Sequence, residues 1–235
     1  THLSLSDKIY VIRRMNSSRN KTISILVAIT AIIIIAVGVY SFSGSEPTAP
    51  VLSTSDGTIT FYKPDDFGLA VTPVQVLVRS YIPPCDEDFN YCLYYNGADY
   101  EGTNFESAGI RIKKRPDLVT EMACLNTPLA WYDTSAKPDK TYSDEGYAVS
   151  VFKNIGDAGA GHSASGALYR LFVRENLSCY EFETRVGQAQ FQNYPAGTIK
   201  EFRTTDKDNV DVRLVKILSE ITLPSGKNNL FSNAI

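Results

Sequence analysis

Residues 22–42 read TISILVAITAIIIIAVGVYSF, without a charge and apolar on every face a helix could present. At about 1.5 Å of rise per residue, such a segment spans a hydrocarbon core of about 30 Å. The pattern predicts a transmembrane helix that holds the chain in the lipid bilayer through residues 22–42. A cleavable leader would have a shorter apolar region and end in small residues, whereas this run leaves through Tyr40, Ser41 and Phe42.

Beyond it, residues 43–57 are rich in Ser, Pro, Gly and Thr, a composition that predicts a flexible linker. From residue 58 the pattern changes to short alternating runs rich in β-branched and aromatic residues: 59–62, 69–78, 91–95, 109–113, 147–153, 168–173 and 179–186. These predict strands. Helical spacing appears twice, briefly over 117–124 and at length over 206–221. In the second, Val210, Leu214, Ile217, Leu218 and Ile221 share one face, and Thr205 with Asp208 has capping-box spacing. The expected architecture is an α+β domain over 58–223, a mainly antiparallel sheet covered by a C-terminal helix, followed by a tail at 224–235.

Charge adds an orientation. Residues 1–21 carry Lys8, Arg13, Arg14, Arg19 and Lys21 against Asp7, a net +4 in a chain whose total is -3, so the remainder carries -7. Positive flanks stay on the cytoplasmic side. Residues 1–21 are therefore expected as a cytoplasmic stub, with the larger part extracytoplasmic in a single-pass protein of the cell membrane. A sequence pI near 5.5 lacks the basic footprint of a nucleic-acid binder.

The four cysteines, Cys85, Cys92, Cys124 and Cys179, all follow the apolar run. An even number in an oxidising compartment reads as two disulfides. Of three possible pairings, the short loop favours Cys85 with Cys92, leaving Cys124 with Cys179. Zinc is disfavoured, because no C-x-x-C spacing occurs and one His alone, His162, follows the apolar run.

Candidate chemistry is sparse. Gly161-His162-Ser163-Ala164-Ser165 approaches the Gly-x-Ser-x-Gly elbow of serine hydrolases, yet no His follows Ser163 to serve as base. Gly159-Ala160-Gly161 echoes a dinucleotide loop without a βαβ unit around it. A transpeptidase set of Cys179, His162 and Arg185 lacks the expected motif around its Cys. Asp86, Asp88 and Asn90 begin a calcium-loop spacing that fails at its Gly and Glu positions, leaving a weak calcium candidate. Tyr91, Tyr94, Tyr95 and Tyr100, with Asp99, crowd one stretch as a possible ligand face, although alternation buries about half of such aromatics. No catalytic residue and no cofactor emerge.

Several segments together resemble a known family. These are residues 61–70 (FYKPDDFGLA), 168–172 (LYRLF), 179–183 (CYEFE) and 193–202 (NYPAGTIKEF), with the closing Ile217-Leu218-Ser219 helix. They are similar to membrane-tethered exported bacterial proteins with a PsbP/Mog1-like sandwich. That resemblance implies a fold and a role in binding or assembly, and it carries no active site. The expected function is a non-catalytic single-pass envelope protein whose exterior domain binds a protein or cell-wall partner. The alternatives are an extracytoplasmic hydrolase working through carboxylates, and a structural spacer or envelope scaffold.

Overall fold

The computed structural model describes residues 51–71, 84–85, 89–128 and 136–232. The stub at 1–21 and the membrane helix at 22–42 lie outside these residues, and among the described residues no helix is long and apolar enough to cross a membrane.

Two short strands, β1 (Val51–Ser53) and β2 (Thr60–Tyr62), form an antiparallel hairpin. The end of the expected linker is thus part of the domain: Leu52 lies opposite Phe61, and backbone pairing overrides the polar composition. Seven described strands build the main sheet: β3 (Phe67–Val71), β4 (Tyr91–Tyr95), β5 (Phe105–Lys114), β6 (Lys140–Ser143), β7 (Tyr147–Gly159), β8 (His162–Val173) and β9 (Ser178–Ala189). Their order is β3-β4-β5-β9-β8-β7-β6, and every neighbouring pair is antiparallel. Two meanders meet where β5 pairs with β9. Between them the chain crosses to the far edge through helix α1 (Glu121–Asn126).

Alternation sets the two faces. One carries Leu93, Ile110, Val149, Leu171 and Phe182 into the main core, against Val210, Leu214, Ile217 and Leu218 of helix α2 (Thr204–Ser219). The α+β fold with its covering C-terminal helix is what the pattern predicts. The cap lies two residues earlier than expected, where the Arg203 N–H donates to the Asp206 carboxylate at 2.9 Å. The opposite face holds a smaller cluster in which Leu118, Cys124 and Leu125 pack on Ala148, Phe172 and Cys179. Helix α1 starts later than the spacing suggests because Thr120 is extended and its Oγ1 accepts the Ala123 N–H at 3.2 Å.

Further departures from the sequence expectation lie in β6, at the turn between β7 and β8, and in residues 224–232. Strand β6 lies at the sheet margin with mostly exposed residues, which erases its alternation. Strands β7 and β8 run on to a tight turn at Ala160 and Gly161, both with positive φ, through small residues that show no apolar period. Residues 224–232 do not behave as a tail: Leu230 and Phe231 are wholly buried, and the Phe231 ring packs edge-on against Tyr169 and Phe182.

Candidate functional site

The expected aromatic face is divided between the two sides of β4. Tyr95 points into the main core, where its ring meets Phe67 and Phe105, while its hydroxyl donates to Asp99 at 2.9 Å and accepts from Arg213 at 3.0 Å. Burial, then the Asp99 bond, pushes this phenol up to about 12. Tyr100 packs edge-on to Phe202 with centroids 4.9 Å apart. Asp99 is exposed and pairs with Arg213 at 2.6 Å. Tyr91 lies edge-on to Phe61, and Tyr94 turns to the other side, against the Cys85, Phe89 and Cys92 cluster. Packing accounts for these rings one by one.

Both expected disulfides form, one closing a short loop and the other joining α1 to β9. Cys85 is bonded to Cys92, with Cα atoms 6.0 Å apart, and Cys124 of α1 to Cys179 of β9, with Cα atoms 5.7 Å apart. Of the calcium candidates, Asp86 and Asp88 lie outside the described residues, and Asn90 is committed to the backbone, its Oδ1 accepting the Lys114 N–H at 2.6 Å. Neighbours along a strand face opposite ways, so His162 and Ser163 of β8 cannot meet at one reacting atom. His162 Nδ1 lies 2.7 Å from Glu106 Oε1, beside the bulge that breaks the β5 register.

A cleft of about 70 Å³ opens where the β1–β2 turn meets β5 and β9, lined by Asp56, Asn90, Tyr91, Lys114 and Tyr180 among others. Asp56 is its one acid. Its Oδ2 accepts Lys114 Nζ at 2.6 Å and the Tyr180 hydroxyl at 2.6 Å, while its Oδ1 accepts the Thr54 hydroxyl at 2.7 Å and the Thr58 N–H at 3.0 Å. Burial alone would raise this carboxyl; the four donors outweigh it and hold it well below the carboxylate range. With its acceptor directions taken, Asp56 staples the hairpin to the sheet and has no lone pair left for a substrate.

On the α1 side of the sheet a band of charge crosses β5, β9 and β8. Arg111 pairs with Glu183, and Glu181 Oε2 takes Arg115 Nη1 at 2.7 Å and Arg170 Nη2 at 2.9 Å. Arg170 is wholly buried, and the Glu181 oxygen lies off the line of its N–H bonds, so the contact is an ion pair without a hydrogen bond. Burial draws this guanidinium down to about 10. Beyond the band a cleft of about 10 Å³ is lined by Gly156, Asp157, Gly166, Glu183 and Arg185 among others. It has room for about one water. Gly166 is required in its floor, since a Cβ there would stand 1.8 Å from the Thr184 carbonyl oxygen.

Sequence reasoning missed the Asp56 staple and the charged band. The alternation of Glu181, Glu183 and Arg185 with Tyr180 and Phe182 signalled a charged face, but its partners come from strands distant in sequence. Among the described residues no group of three or more metal-ligating side chains forms. No protein-family model, no curated protein and no solved structure matches this chain.

Proposed function

We propose that this chain is a non-catalytic, single-pass envelope protein whose extracytoplasmic domain binds a protein or cell-wall partner. The observation that carries the reading is the state of the acids. The Asp56 carboxylate is saturated, Glu181 and Glu183 are held by arginines, and Asp66, Asp99, Asp117 and Glu121 each pair with an arginine. A carboxylate hydrolase needs a free acid and base facing a cleft that admits substrate. Two disulfides accord with an oxidising compartment. The antiparallel sheet with its C-terminal helix is compatible with the PsbP/Mog1-like resemblance, which remains part of this proposal.

A hydrolase would have its best foothold where Asp157 and Glu183 share the smaller cleft. The decisive experiment assays the full chain in membranes against peptidoglycan, glycan and ester substrates beside Asp157→Asn and Glu183→Gln. Turnover by the wild type that a folded Asp157→Asn protein loses would overturn the non-catalytic reading. Location is tested by a membrane-impermeant thiol reagent on intact cells: Ser55→Cys, at an exposed position, should be labelled and Ser6→Cys should not. Labelling at Ser6→Cys alone would invert the topology.

A further inference from the structure

Strand β6 pairs with β7 from Val151 back to Ala148, and the chain before it adds two bonds, Asp139 N–H to the Val151 carbonyl and Lys153 N–H to the Asp139 carboxylate. At that point the ladder stops. A bulge between Phe152 and Ile155, with Asn154 at φ 55°, ends the pairing, yet β7 continues to Gly159 and, among the described residues, pairs only with β8 on its other side. Gly156, Asp157, Ala158 and Gly159 are exposed, and no described residue bonds to the outer backbone edge of 154–159. Sheets ordinarily guard such an edge with Lys, Pro or a covering element. Here the segment Ile155–Gly159 has one charge, Asp157, which pairs with no cation among the described residues.

Gly159 adds a separate observation. Its φ is not positive and nothing lies within 4 Å of where its Cβ would be, so neither backbone strain nor crowding inside the domain calls for glycine. Glycine weakens a strand relative to alanine and commonly marks a place where another backbone comes close.

The geometry points to the outer edge of β7, residues 154–159, as a docking site at which an extended peptide with a Lys or Arg opposite Asp157 adds a strand to the sheet. Backbone hydrogen bonds would supply the attraction and Asp157 the selection. Glu183, the other acid of the neighbouring cleft, is held by Arg111, and Arg185 stands beside it, so Asp157 is the charge an incoming strand meets at the edge itself. A second copy of this chain is a poorer occupant, because antiparallel self-pairing centred on this edge sets Asp157 against its own counterpart. The inference rests on the proposed binding role and specifies the partner class.

The test uses the full chain in detergent micelles with a fluorescein-labelled peptide of about ten residues, alternating Thr and Val around a central Lys, read by anisotropy. A second peptide carries Glu for Lys, and a third carries N-methyl groups on alternate amides. Saturable binding of the Lys peptide is expected at micromolar to millimolar concentration, with no binding of the N-methylated one. Asp157→Lys, at an exposed position, should keep the thermal midpoint, weaken the Lys peptide by about tenfold or more and favour the Glu peptide. Absence of a saturable rise by about 1 mM, equal binding of the N-methylated peptide, or indifference to Asp157→Lys would each overturn the inference. So would a dimer of the chain alone that Asp157→Lys abolishes, since the edge would then belong to a second copy. A failed peptide titration leaves the non-catalytic reading standing, because that reading depends on the hydrolysis assay.

Discussion

Arg170 has its charge balanced by Glu181, but its N–H groups have no acceptor in line, and the side chain is wholly buried. A buried ion pair returns little stability once desolvation is counted, whereas removing the shared partner strands a charge. Arg170→Met should therefore leave the urea midpoint unchanged or higher, since Arg115 continues to hold Glu181. Glu181→Gln leaves the buried Arg170 without its paired carboxylate, while Arg115 keeps Asp117, and should cost about 3–5 kcal/mol. Equal losses in the two variants would show that the Arg170 contact contributes directly to stability. Alternation along β9 sets Glu181 and Glu183 on one face of the sheet. That Arg170 lies opposite Glu181, and Arg111 opposite Glu183, follows from the β5–β9–β8 register, which no local pattern encodes.

Helix α1 is six residues long, too short to persist without tertiary contacts. Its anchors are the Cys124–Cys179 bond, the Leu118 and Leu125 contacts, and the Ser150 hydroxyl donating to the Leu125 carbonyl at 2.7 Å. The two disulfides close segments of very different length, 55 residues apart in sequence for one and 7 for the other. The chain-entropy relation assigns them about 4 and about 2.5 kcal/mol. Replacing Cys124 and Cys179 together by Ser should thus lower unfolding stability more than replacing Cys85 and Cys92, as read by denaturant midpoints; the reverse order would place the larger effect in native-state packing around Phe89. A second element-scale prediction concerns the C-terminus. Leu230 and Phe231 complete the core beside Tyr169 and Phe182, so truncation after Lys227 should cost about 3–5 kcal/mol, measured by the loss in thermal midpoint. A truncated chain that melts like the full one would return these residues to the status of a tail. Their burial was illegible in sequence because Leu and Phe in a segment of Ser, Gly and Asn show no period; their partners are the sheet residues they reach.

For the whole domain, ionisation defines a pH window. Arg115 holds the Asp117 carboxyl down at about 2, and the four donors to Asp56 depress that group as well. A carboxyl depressed on folding stabilises the native state above its unfolded pKa and loses that contribution as pH falls through the folded one. Stability should therefore be level above about pH 4 and decline toward about pH 2. At the alkaline end burial raises Tyr169 to about 12, and burial with Asp99 raises Tyr95 to about 12. A phenol raised on folding contributes fully below its unfolded pKa near 10, so a second decline should run from about pH 10 to 12. Chemical denaturation across this range checks both limbs, and a profile already falling at pH 8 would contradict the assignment.

Some features of this protein were determined by the sequence by itself, because they rest on near-neighbour physics. Alternation marked six of the strands that enter the sheet, 3.6-residue spacing marked the apolar face of α2, and a separation of seven made Cys85 and Cys92 natural partners. Local periodicity is enough wherever one side of an element faces the core and the other does not. Only the tertiary structure decided the features that depend on residues far apart in sequence. It drew Val51–Ser53 out of the linker into a hairpin, sent residues 230–231 into the core and joined β5 to β9. It also divided the tyrosines of residues 91–100 between packing roles and left the far half of β7 without a neighbouring strand on one side among the described residues. Hydrogen-bond ladders and core contacts of this kind are selected by global packing, and a polar or small-residue segment shows no sign of them until its partner strand is in place.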